Sequence, residues 1–86
     1  MISRRVKITF ADGLQVQTAA ALVSACRVFD SDVILRFNDN EYNLKSVLGV
    51  VAAGAGCGDE VEFVCIGPEE EAAMLALLDV VNKLKG

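Results

Sequence analysis

Eighty-six residues bound the chain to a single domain spanning 1–86, and a hydrophobic share of 53% is enough for one core. A net charge of −4 makes nucleic acid and anionic membrane poor partners. There is no histidine, so the commonest metal ligand and the commonest general base are both missing.

Three cysteines, Cys26, Cys57 and Cys65, are an odd number without metal-ligand spacing. They read as thiols, with Cys26 and Cys65 serving as small buried hydrophobes. No metal or cofactor is implied. The longest apolar run, Val47 to Gly56, falls short of the roughly 20 residues that a bilayer requires. No signal peptide is visible, so the cytoplasm is the expected location. No acid–base pair, metal cluster or nucleophile with a base stands out, which argues against an enzyme.

Arg4 to Phe10 alternates, with Val6, Ile8 and Phe10 on one face, and predicts a half-buried strand. Asp12-Gly13 turns it. Val16 to Arg27 carries Val16, Ala19, Ala20, Val23 and Cys26 at helical spacing, a narrow stripe that lets a helix sit close to a sheet. Phe29 covers the core where this helix ends. Asp30-Ser31-Asp32 is polar punctuation, and Val33, Leu35 and Phe37 alternate as a second strand. Asn38-Asp39-Asn40 is a turn cluster that tolerates left-handed backbone. It joins that strand to a short one, Glu41 to Leu44, in a hairpin with Tyr42 and Leu44 on one face.

Ser46 stands before an apolar run and is an N-cap candidate for a helix from Val47 to Ala53. Gly54-Ala55-Gly56-Cys57-Gly58-Asp59 reads as a helix end and turn. It is not a phosphate loop, because no Gly-Lys-Ser/Thr follows and no strand precedes it. Glu60 to Ile66 is the last strand, with Val61, Phe63 and Cys65 inward and Glu60, Glu62 and Val64 outward. Gly67-Pro68 starts the final helix. Glu69, Glu70 and Glu71 complement its N-terminus, and Lys83 and Lys85 its far end. Its buried stripe is Met74, Leu77, Leu78, Val81 and Leu84. The order β-α-β-β-α-β-α predicts an α+β open-faced sandwich, with a four-stranded antiparallel sheet and three helices on one face.

Two helix entrances carry the functional interest. A helix starting near Val16 aims its unpaired N–H groups back at residue 15, a seat suited to an anion. Gln15 occupies that seat and offers an amide with no nucleophile comparable to an imidazole. Gln17 supplies only a neutral amide beside it. At the second entrance Ser46 presents a hydroxyl, with Lys45 as a positive neighbour. The helix after Ser46 is too hydrophobic to bury every side. Val47, Leu48 and Val51 are therefore candidates for an apolar docking patch beside a modifiable group.

Gly13-Leu14-Gln15-Val16-Gln17-Thr18-Ala19-Ala20 resembles the active-site turn of HPr, the small phosphocarrier of the bacterial sugar phosphotransferase system. That family's motif reads Gly-Leu-His-Ala-Arg-Pro-Ala. Gly13, Leu14 and Ala19 fit it, while Gln15 replaces the carrier histidine, Val16 the first alanine, Gln17 the phosphate-clamping arginine and Thr18 the proline. Asn43-Leu44-Lys45-Ser46-Val47-Leu48-Gly49-Val50 is similar to the regulatory-serine segment of HPr from Gram-positive bacteria. The resemblance implies a protein unable to carry phosphohistidine. Its Ser46 would be a target of the HPr kinase/phosphorylase, in the manner of catabolite-repression members of the family. Its implied partners are that kinase and a transcriptional regulator or metabolic enzyme, met through Gln15, Gln17, Lys45, Ser46, Val47, Leu48 and Val51. The alternative is a diverged interaction module of the same fold with no phosphorylation.

Overall fold

A computed structural model describes residues 1–84. The elements are β1 (Ile2–Lys7), α1 (Val16–Cys26), β2 (Asp32–Phe37), β3 (Asn40–Asn43), α2 (Val47–Ala53), β4 (Glu60–Ile66) and α3 (Glu70–Leu84). The strands form one antiparallel sheet in the order β1-β4-β2-β3. The three helices cover one face, giving the open-faced sandwich and the element order that the sequence pattern predicts.

Register places Val6 opposite Val61, and Leu35 opposite both Phe63 and Tyr42. Their inward side chains meet Leu22, Met74 and Leu77 from the helices in a single core. The β2–β3 hairpin closes on Asn38 and Asp39, both left-handed at φ 52° and 64°. A two-residue hairpin loop needs that backbone to match the twist of its strands. The outer face is laced by ion pairs. Arg36 reaches Glu41 at 2.8 Å and Glu62 at 3.5 Å, and Arg5 reaches Glu60 at 3.7 Å.

Several boundaries and faces differ from the sequence reading. The first strand is Ile2–Lys7 rather than Arg4–Phe10, because its partner β4 begins at Glu60 and the chain turns at Gly58 (φ +94°). Ile8 stays attached by its N–H to the Asp59 carbonyl at 2.8 Å, and both Ile8 and Phe10 remain buried. In α1 the buried residues are Ala19, Leu22, Val23 and Cys26. Ala20 is half-buried, and Val16 at the helix tip is 63% exposed, where it overhangs a surface groove. β3 ends at Asn43, and Leu44 beyond it is fully buried with its N–H on the Val33 carbonyl at 2.9 Å.

Val64 points outward but is wholly buried, seated between Ser3 and Ile34 of the flanking strands. Pro68 lies in the turn before α3, which begins at Glu70. The Gly67 N–H donates to the Glu70 carboxylate at 3.1 Å and holds its pKa below the usual carboxylate range. Leu78 and Leu84 pack at the core's edge, Lys83 pairs with Asp79 at 3.0 Å, and Lys85 lies outside the described residues.

Candidate functional site

The α1 entrance is built around Gly13 (φ +66°), a backbone angle that side chains rarely adopt. The chain comes so close to the loop after α2 that a Cβ on Gly13 would lie 2.7 Å from the Gly56 Cα and 2.8 Å from the Ala55 carbonyl oxygen. The Leu14 N–H donates to that same carbonyl at 2.9 Å. The start of α1 and the exit of α2 are thus stitched together.

Gln15 is the N-cap of α1 in extended backbone, and its side chain is exposed, as is that of Gln17. The Gln15 N–H donates to Thr18 Oγ1 at 2.9 Å, and the Thr18 hydroxyl has the Gly13 carbonyl as an acceptor at 2.9 Å. Thr18 therefore fastens the first turn, a role the sequence reading did not assign to it. The signal was present: a hydroxyl three residues after the N-cap can reach back like the second half of a capping box.

The junction leaves an open groove of about 750 Å³, with Asp12, Gln15, Val16 and Gln17 on one side and Val51 and Gly54 on the other. Asp12 entered the sequence reading only as a turn residue, yet among the described residues lining the groove it is the one ionisable side chain.

Ser46 is the N-cap of α2, as the sequence predicts. Its Oγ accepts from the Gly49 N–H at 3.2 Å, its own N–H donates to the Asn43 carbonyl at 3.1 Å, and it is half-buried. Lys45, the positive neighbour of Ser46, is anchored. Its Nζ donates to the Phe29 carbonyl at 2.8 Å, closing the loop that leaves α1, and its backbone N–H goes to Asn43 Oδ1 at 2.9 Å. Gln15 and Ser46 lie near opposite ends of α2, whose seven residues span about 10 Å. On that helix Leu48 is 82% exposed and stands as the outer apolar face. Val47 and Val51 are half-buried and lean on the core, because an α2 this short turns most of its circumference toward β3 and α1.

The remaining chemistry is quiet. Burial pushes the Cys26 thiol up to about 11 and raises that of Cys65, while Cys57 is exposed. Among the described residues no group of three or more His, Cys, Asp or Glu side chains could hold a metal ion. No helix among them is long and apolar enough to cross a membrane.

Fold and site together define a small α+β domain that presents two helix entrances and an apolar helix face to other molecules. Comparison with known proteins makes this specific. The family model described as the PTS HPr component phosphorylation site matches residues 2–83. The phosphocarrier protein HPr of Treponema pallidum (strain Nichols) is 39% identical over 77 residues, covering 90% of this chain and 88% of that protein. The crystal structure of HPr-C-His from Thermoanaerobacter tengcongensis matches with a TM-score of 0.93 at 28% identity, over all of this chain and 97% of that one. Crh, the Bacillus subtilis catabolite repression containing protein, described as a swapped dimer, matches with a TM-score of 0.76 at 30% identity, over 96% of this chain and 95% of that one. The chain belongs to the HPr family of the phosphotransferase system. Proteins of this family are phosphocarriers rather than enzymes, and they work by meeting other proteins of that system.

Proposed function

We propose that this chain is a regulatory HPr-family protein that carries no phosphohistidine and is controlled by phosphorylation at Ser46. The observation behind it is a contrast between two helix entrances. The chain has no histidine, and Gln15 sits at the cap of α1 where the family resemblance puts the carrier. Gln17 holds the place of the clamping arginine and can give only neutral hydrogen bonds, weaker than the charge-assisted ones a guanidinium offers phosphate. At the other entrance the Ser46 hydroxyl stands at the cap of α2 beside the solvent-exposed Leu48.

A phosphate on Ser46 would lie against the positive end of α2 and its free N–H groups, so the domain tolerates it. Its effect falls on whatever docks over Ser46, Val47, Leu48 and Val51, with Gln15, Gln17 and Lys45 at the margins. The kinase partner is the HPr kinase/phosphorylase, and the regulated partner is a transcriptional regulator or a metabolic enzyme in the cytoplasm. Likeness to Crh supports this reading.

The test uses two incubations, each followed by intact mass. With HPr kinase and ATP the protein gains one phosphate, mapped to Ser46 and lost in Ser46→Ala. With phosphoenolpyruvate and the general phosphotransferase enzyme it gains none. An acid-labile phosphate in the second incubation, or no gain in the first, overturns the reading. A second reading is an interaction module without phosphorylation. The engagement of Ser46 Oγ with the Gly49 N–H and of Lys45 with Phe29 favours it, since both groups already have structural duties.

A further inference from the structure

The groove between the entrance of α1 and the exit of α2 has a charge that sets what it accepts. The helix ends that meet there bring partial charges of opposite sign, positive from the first N–H groups of α1 and negative from the last carbonyls of α2, and these offset each other. What remains is the full charge of Asp12, exposed and without an ion pair among the described residues. Asp59 adds to it from the groove's edge, since its Oδ2 accepts from the N–H of groove-lining Gly56 at 2.8 Å.

Among the described residues no basic side chain lines the groove. Arg4, Arg5 and Lys7 belong to or adjoin the outer sheet edge on β1, Arg27 follows α1, Arg36 is on β2, Lys45 is tied to Phe29, and Lys83 is at the far end of α3. The groove is therefore a negative, partly apolar channel. Val16 overhangs it at 63% exposure, and Leu48 stands at 82% on the helix that forms its other side.

We infer that this groove docks a basic side chain of a partner protein, arginine by preference, which meets the Asp12 carboxylate while flanking aliphatic groups cover Val16 and Leu48. The inference rests on the reading of this helical face as a docking surface, and it identifies the chemistry of what docks. A guanidinium matches a carboxylate through two parallel N–H donors, and the exposed valine suits the methylenes on either side of it. An anionic occupant is disfavoured, because it would face the Asp12 carboxylate with no cation among the described residues that line the groove.

The experiment titrates three probes into the 15N-labelled protein: a blocked Leu-Ala-Arg-Ala-Leu peptide, the same peptide with glutamate for arginine, and inorganic phosphate. The amides of Gln15, Val16, Gln17, Gly54 and Gly56 are followed. The arginine peptide shifts them saturably, and the other two probes do not. Asp12→Asn and Asp12→Ala weaken that binding roughly two- to fivefold, the range of an exposed ion pair, and added salt weakens it further. Glu71→Gln removes the same charge from α3 and leaves it unchanged, separating a local effect from net charge. The inference is overturned if the arginine peptide gives no saturable shift, if phosphate or the glutamate peptide shifts the same amides equally, or if both Asp12 variants bind like wild type. None of these readouts involves Ser46, so a failure of phosphorylation is a separate result.

Discussion

Gly13→Ala measures how tightly the entrance of α1 is joined to the exit of α2. The new Cβ carries two costs. The first is backbone: φ +66° costs a side-chain-bearing residue about 1–2 kcal/mol. The second is steric. At 2.7 Å from the Gly56 Cα and 2.8 Å from the Ala55 oxygen, the methyl overlaps main-chain atoms that cannot swing aside as a side chain would. Overpacking of this kind costs about 1–3 kcal/mol. The sum is about 2–5 kcal/mol, which in a domain of this size lowers Tm by roughly 10–30 °C.

Gly54→Ala supplies the control. Gly54 has nearly the same backbone angle, φ +70°, but a Cβ there meets nothing within 4 Å. Its loss is confined to the backbone cost, about 1–2 kcal/mol. Urea denaturation of both variants gives the difference, which isolates the contact between the α1 entrance and the loop after α2. The Gly13 variant also loses amide-exchange protection at Leu14, whose N–H bonds the displaced Ala55 carbonyl. Equal stabilities for the two variants would refute the close approach on which the groove's shape depends.

Two further predictions concern the other entrance and the buried thiols. Ser46→Ala loses a capping acceptor for the Gly49 N–H and is destabilised by about 1 kcal/mol, whereas Ser46→Asp keeps an acceptor, adds charge at the helix's positive end and unfolds at or slightly above the wild-type temperature. A large loss in Ser46→Asp would contradict the cap geometry. Burial favours the neutral thiol of Cys26, so its contribution to stability is complete below its ordinary pKa of 9.0 and is lost as pH rises toward about 11. Between those limits stability falls by about 1.4 kcal/mol per pH unit for this proton, with Cys65 acting in the same direction. Denaturation across that window should show a shallower alkaline decline in Cys26→Ala, and an identical decline would count against the burial.

Most of the architecture was legible because its signals are periodic. Val33-Ile34-Leu35-Arg36-Phe37 alternates, Asn38-Asp39 supplies left-handed backbone, and Met74, Leu77 and Val81 repeat at helical spacing. Both helix entrances were legible for a similar local reason, since a cap is a matter of a few consecutive residues. What escaped depends on distant neighbours. Leu22 and Val16 both fit an apolar stripe by spacing, but only the overhang of the helix tip makes one core and the other surface. Val64 reads as outward by alternation and is outward, yet Ser3 and Ile34 from two other strands enclose it. Lys45 reads as a positive neighbour of Ser46, but its anchoring to the Phe29 carbonyl is set by tertiary structure alone. Asp12 becomes a groove residue only because the chain past Ala53 folds back against Gly13.

The brevity of α2 constrains whatever sits on it. A typical protein footprint covers about 800 Å² per partner and is about 32 Å across, about three times the length of a rod of seven residues. A macromolecule centred on Leu48 necessarily overhangs both tips of that rod. It feels the hydroxyl at one tip and the acidic channel at the other within a single contact. Any change of charge at the first is therefore weighed together with occupancy of the second, and a protein-sized visitor has no way to sample them separately.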